Sequence, residues 1–155
     1  MTSRPFVAIT LVWLLAAAFP ATSTLAAPGE IHLQAQLIWA GDGVKPPEGK
    51  NYKPVEGAVA KKLKELPLKW KSYFEVSRTN FVVGPAALRT VAVSEKTQLE
   101  VKIHSDSSLE VTLICKSQRI KRTQSLPDGE ILVIGGNEAK DTAWLVVLRR
   151  APASK

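Results

Sequence analysis

From Gln98 to Cys115 the chain alternates apolar and polar positions. Leu99, Val101 and Ile103 alternate with Glu100 and Lys102, then Leu109, Val111, Leu113 and Cys115 with Glu110, Thr112 and Lys116. Successive side chains of a strand point to opposite faces, so this pattern predicts two half-buried strands. Between them, Ser105-Asp106-Ser107-Ser108 supplies residues that hydrogen-bond their own backbone in turns. The result is a β-hairpin with one apolar face. Such a hairpin is marginal alone in water, so the rest of the chain must cover it.

The same alternation recurs on both sides. Ile31, Leu33, Ala35 and Leu37 alternate with His32, Gln34 and Gln36, which predicts a half-buried strand over Glu30 to Ala40 that runs through Trp39. Residues 41–54 lose periodicity and carry Lys45, Lys50 and Lys53; a loop of this length is either functional or mobile, and it reads as mobile. Ala58 to Leu66 places Val59, Leu63 and Leu66 at helical spacing, and Pro67 stops the helix. A helix this short needs a sheet to pack on. Tyr73 to Val83 reads as one strand, or two with a kink at Arg78 to Asn80, and Ala87 to Val93 as the next. Arg119 to Leu126 has the charges of an edge strand, and Pro127-Asp128-Gly129 is a turn. Ile131 to Ile134 reads as a strand covered on both faces, ended by the hairpin connection Gly135-Gly136-Asn137. Thr142 to Leu148 closes the domain, and the basic run from Arg149 reads as a tail, with the outer boundary at 150 and residues 151–155 beyond it. Seven or eight strands with one short helix predict an all-β fold, a single antiparallel sandwich or partly open barrel.

The first residues change the picture of the whole. Arg4, an apolar run from Phe6 to Phe19 broken only by Thr10, then Pro20 and small residues have the order of a secretory signal peptide. Thr24 and Ala26 place the cut after residue 26. The run is shorter than the roughly 18–20 residues of a membrane-spanning helix, and the mature chain has no transmembrane segment of its own. Arg4 is the only charge in 1–26, so the formal net charge of +7 becomes +6 on a single domain from residue 27 to 150. Cys115 is the sole cysteine. An exported domain of this size often relies on disulfides; this one must hold itself by packing, with Cys115 expected as a small buried apolar residue.

Candidate chemistry is sparse. His32 and His104 are far apart in sequence, Asp106 beside His104 could orient an imidazole, and no nucleophile-elbow motif is present. Glu75, between Phe74 and Val76, is the one carboxylate whose setting suggests perturbation. These residues predict no enzyme, no metal and no cofactor. The Gly135-Gly136-Asn137 segment leads into a strand rather than the helix a phosphate cradle requires. Cations are the remaining signal. Lys61, Lys62, Lys64, Lys69 and Lys71 crowd around Trp70 and Tyr73; Lys116, Arg119, Lys121 and Arg122 form a second group, and Arg149 with Arg150 a third. Clustered cations favour polyanionic partners, and export makes nucleic acid a poor one.

Three stretches carry a resemblance. Lys69-Trp70-Lys71-Ser72-Tyr73-Phe74, then Leu126-Pro127-Asp128-Gly129-Glu130 leading into Val133-Ile134-Gly135-Gly136-Asn137, then Thr142-Ala143-Trp144-Leu145-Val146-Val147 resemble a group of small exported bacterial proteins with no assigned function. The resemblance spans roughly Leu37 to Leu148 and implies a periplasmic or secreted setting. Its motifs are turns, aromatics and strand runs, so no functional residue comes with it. The expectation is an exported, non-catalytic binding or structural module of the cell envelope. Lys61, Lys62, Lys64, Lys69, Trp70, Lys71 and Tyr73 would meet an envelope protein or an anionic surface, a lipid headgroup or an acidic polysaccharide. The alternatives are a periplasmic carrier holding a small apolar ligand near Trp39 and Trp144, or a hydrolase whose site is not legible. Oligomeric state and strand order are not legible either.

Overall fold

A computed structural model describes residues 29–43, 45–46, 48–49, 51–55, 57–105, 108–139 and 141–151. The leader at 1–26, Asp106 and the tail from residue 152 lie outside the described residues. Among the described residues, nine strands and one helix follow one another as β1 (Ile31–Gly41), β2 (Lys53–Pro54), α1 (Gly57–Glu65), β3 (Ser72–Val83), β4 (Leu88–Ser94), β5 (Thr97–Ile103), β6 (Ser108–Cys115), β7 (Gln118–Ser125), β8 (Ile131–Ala139) and β9 (Thr142–Arg150). They form two antiparallel sheets, one of five strands in the order β2-β3-β1-β9-β8 and one of four in the order β4-β5-β6-β7. The fold is an all-β sandwich with a helix on one outer face.

The period-two hairpin is the centre of the four-stranded sheet. Leu99 stands opposite Leu113, Val101 opposite Val111 and Ile103 opposite Leu109, so one face of the pair is wholly apolar. That face packs against Ile31, Leu33, Ala35 and Leu37 of β1, Phe81 and Val83 of β3, Leu132 and Ile134 of β8, and Val146 and Leu148 of β9. Removing each such side chain from water contributes about 1.5–3 kcal/mol, which explains how a domain without a disulfide holds together. Cys115 is half-buried at the margin, where the Thr97 hydroxyl donates to its sulfur at 3.8 Å.

A second apolar layer lies on the far side of the five-stranded sheet. Val59 and Leu63 of α1 pack on Ile38, Ala40, Ala143, Leu145 and Val147, with Val55, Leu68, Trp70, Tyr73, Ile131 and Val133 around them. The central strands β1 and β9 are therefore buried on both faces. β1 is not the half-buried strand its alternation predicts: Gln34 and Gln36 are 4% and 1% exposed.

Of three further expectations, one is resolved and two change. β3 is one strand, the first of the two forms expected, and carries no kink at Arg78 to Asn80; its irregularity falls at Val76, because Leu37 pairs with Ser77 but Ile38 with Glu75 and Val76 is the extra residue of a bulge. β8 continues through Gly135 to Ala139 instead of ending at Ile134, and the hairpin turn comes after it. Arg149 and Arg150 belong to β9 rather than to a tail. The 41–54 segment also carries structure. Lys53 and Pro54 pair with Glu75 and Phe74, and the Tyr52 ring meets Trp39 edge-on at 6.1 Å.

Candidate functional site

The seven residues expected as a contact patch lie on α1, on the segment behind it and at the start of β3, and they are not equivalent. Lys61 and Lys64 are exposed on α1. The Lys62 ammonium is 3.0 Å from the Glu130 carboxylate, and that hydrogen bond raises its pKa above the usual lysine value. Lys71 lies 3.7 Å from Asp42, and the Lys69 ammonium sits over the Trp70 ring, 5.3 Å from its centroid. Tyr73 is half-buried; its hydroxyl donates to the Trp70 carbonyl at 2.8 Å, and burial pushes its pKa up. Trp70 and Tyr73 thus belong partly to the helix-side core. Beside Trp70 opens a cleft of about 480 Å³, whose walls include Leu66, Leu68, Ile131, Val133 and Leu145. The Trp70 indole nitrogen Nε1 is buried and meets no acceptor. A buried donor left unpaired costs about 1–3 kcal/mol.

Two of the four cations of the second group, Arg119 and Lys121, are paired across strands. On the outer face of the four-stranded sheet, Arg119 reaches Glu100 at 2.8 Å and Lys121 reaches Glu110 at 2.9 Å. The Lys121 hydrogen bond holds the Glu110 carboxyl below the usual range.

Sequence patterning did not bring out the third place, a polar cluster on the outer face of the five-stranded sheet. It is made by Gln34 and Gln36 of β1, Glu75, Arg78 and Asn80 of β3, and Arg149 of β9. The Val76 bulge builds it. Strict alternation would put Glu75 on the face of Ser77, whose hydroxyl donates to the Val93 carbonyl in the other sheet at 2.7 Å. The extra residue instead returns Glu75 to the face of Arg78. Arg78 grips the Glu75 carboxylate with Nε at 3.0 Å and Nη2 at 2.7 Å, and the Gln36 amide also donates to that carboxylate. Gln34 donates to Asn80 Oδ1 at 2.8 Å and accepts from Arg149 Nε at 2.9 Å and Nη2 at 2.6 Å. Gln36 Oε1 is buried without a donor. Burial lowers the Arg149 pKa from the usual arginine value and repulsion from Arg78 adds to this, against attraction from Glu75.

His32 and His104 are exposed, and no three of His, Cys, Asp and Glu converge as metal ligands among the described residues. Among the same residues no helix is long and apolar enough to cross a membrane. Trp39 is 2% exposed and packs on Tyr52 and Phe74. By architecture the chain is an antiparallel β-sandwich with one helix packed outside its larger sheet. Compared with protein-family models, curated proteins and solved structures, it matches none.

Proposed function

We propose that the protein is an exported, non-catalytic binding module of the bacterial cell envelope, and that it takes an acidic protein segment at the Trp70 cleft. The observation that carries this reading is the open cleft beside Trp70, whose walls include Leu66, Leu68, Ile131, Val133 and Leu145, with the Lys69 ammonium over the Trp70 ring. Apolar side chains of a partner would fill the cleft, while Lys69 above the ring and the exposed Lys61 and Lys64 on α1 favour an acidic partner. Export is supported by the order of residues in the leader. The carrier reading has less support, because the protein's own Tyr52 and Phe74 occupy the space against Trp39.

The test is co-sedimentation of the mature protein with envelope fractions and, separately, with protein-free anionic lipid vesicles and acidic polysaccharide, across a salt gradient. Binding to the protein-containing fraction alone is expected, weakening with salt as exposed charges are screened and weakening again in Lys61→Glu/Lys64→Glu. Trp70→Phe leaves a smaller aromatic ring at the cleft wall and removes the rest of the indole. It is expected to lower affinity about 5–30-fold, the equivalent of roughly 1–2 kcal/mol, with a modest fall in unfolding temperature from the packed volume removed. Binding to vesicles or polysaccharide equal to that of the envelope fraction would refute the protein partner, and full affinity in Trp70→Phe would refute the cleft.

A further inference from the structure

We infer that Arg149, with Arg78 across β1, forms a binding site for a small oxyanion group, a carboxylate or a phosphate, on the outer face of the five-stranded sheet. Charges on this face are unequally paired. Two guanidinium groups share this half-buried face with one carboxylate, Glu75, and both oxygens of that carboxylate are taken by Arg78 and Gln36. Arg149 is left with a neutral acceptor, Gln34 Oε1. No carboxylate of the described residues lies within 4.0 Å of it. Two acids near this end of β9 are committed elsewhere: Glu130, next to the residue opposite Arg149, holds Lys62 at 3.0 Å, and Asp128 lies 3.4 Å from Arg150.

A cation removed from water is costly unless an anion or a full set of acceptors replaces the hydration. A guanidinium has five N–H donors in a rigid plane; Arg149 uses two of them on a single oxygen. The rest form the fork that grips carboxylate or phosphate bidentately. The fork is also held in place. Gln34 is 4% exposed and is fixed on its other side by Asn80, so the arginine is oriented before any ligand arrives. Arg78, close enough to repel Arg149, adds attraction for an incoming anion from the other side of β1. An oxyanion here relieves that repulsion and supplies the charge the cluster lacks. This site is separate from the Trp70 cleft and does not depend on it.

The experiment is thermal unfolding of the mature protein with sodium phosphate or sodium galacturonate, against sodium chloride at matched ionic strength. With the anion at about ten times its dissociation constant, a rise of roughly 3 °C or more over chloride is expected for wild type and none for Arg149→Gln. The stronger of the two anions identifies the ligand class, phosphoryl or carboxylate. No rise with either anion, or the same rise in Arg149→Gln, overturns the inference. Should Arg149→Gln fail to fold, NMR of the arginine Nε–H signals in wild type decides. The Arg149 signal is expected to move on addition of whichever anion raises the unfolding temperature, and its failure to move overturns the site.

Discussion

Removing the Glu75 carboxylate separates two interactions that meet at one residue. The Glu75 side chain is 15% exposed and that of Arg78 is 49% exposed. Their ion pair is partly open to water and, discounted for screening, contributes about 0.5–1 kcal/mol. The Gln36 amide is different, since Gln36 is 1% exposed and its oxygen already lacks a donor. In Glu75→Gln the new side-chain oxygen can still accept from Gln36, so the loss is the ion pair plus the charge assistance, about 1–2 kcal/mol in all. In Glu75→Ala both ends of the Gln36 amide are stranded in the interior, which adds the desolvation cost of a buried donor and brings the total to about 2–4 kcal/mol. A double variant, Glu75→Ala with Gln36→Leu, removes both partners and should recover part of that loss, because exchanging a buried polar pair for apolar groups is close to neutral. The assay is urea unfolding at pH 7 with the denaturant slope held constant across the set. A second series at high salt should shrink the Glu75→Gln effect and leave the difference between the two single variants intact. If Glu75→Ala costs no more than Glu75→Gln, the Gln36 amide does not depend on Glu75 and the reasoning fails.

Two other expectations follow from close approaches and from charge. A Cβ on Gly135 would sit 2.3 Å from the Trp144 carbonyl oxygen, so Gly135→Ala should force β8 away from β9 and cost about 1–3 kcal/mol in urea unfolding; a neutral result would mean the strands are further apart than described. The Glu110 carboxyl, held below the ordinary carboxylate range by its hydrogen bond from Lys121, should titrate by NMR at a lower pH than in Lys121→Gln. Because its folded pKa is the lower one, its stabilising contribution is present above the unfolded value and is lost as pH falls through the folded one; an unchanged titration in Lys121→Gln would show the pair is not formed in solution.

The hairpin β5–β6 was legible because its two signals agree: period-two alternation and a serine-rich turn describe the same backbone. Helix α1 was legible to within one residue because Val59 and Leu63 repeat at one turn and Pro67 cannot continue it. β8 was misread for a reason within the sequence. Gly135 looked like punctuation, yet glycine inside a strand also marks a place where another backbone comes too close for a Cβ. Strand order was not legible, because alternation states which face a residue takes and not which strand lies beside it. The placement of β1 between β3 and β9 brings together residues more than a hundred positions apart, Gln34 and Arg149.

That placement also explains why the polar cluster escaped notice while the lysines did not. Net charge and crowding in sequence identify where cations are numerous, and by that measure the group around Arg119 and Lys121 equals any other. Pairing across strands decides which cations remain available. β7 lies in register with β6, and Arg119 and Lys121 meet Glu100 and Glu110 on the same face, so two of the three cations of the most crowded basic strand are compensated. Arg149 stands at the end of β9, where it looked like part of a tail, and faces β1 and β3, whose one carboxylate an inserted valine has turned toward a different arginine. A surface basic residue in water needs no partner, but a half-buried one does. Crowding in sequence therefore does not rank these cations: Arg119 and Lys121 each have a carboxylate, at 2.8 and 2.9 Å, whereas Arg149 rests on the Gln34 oxygen.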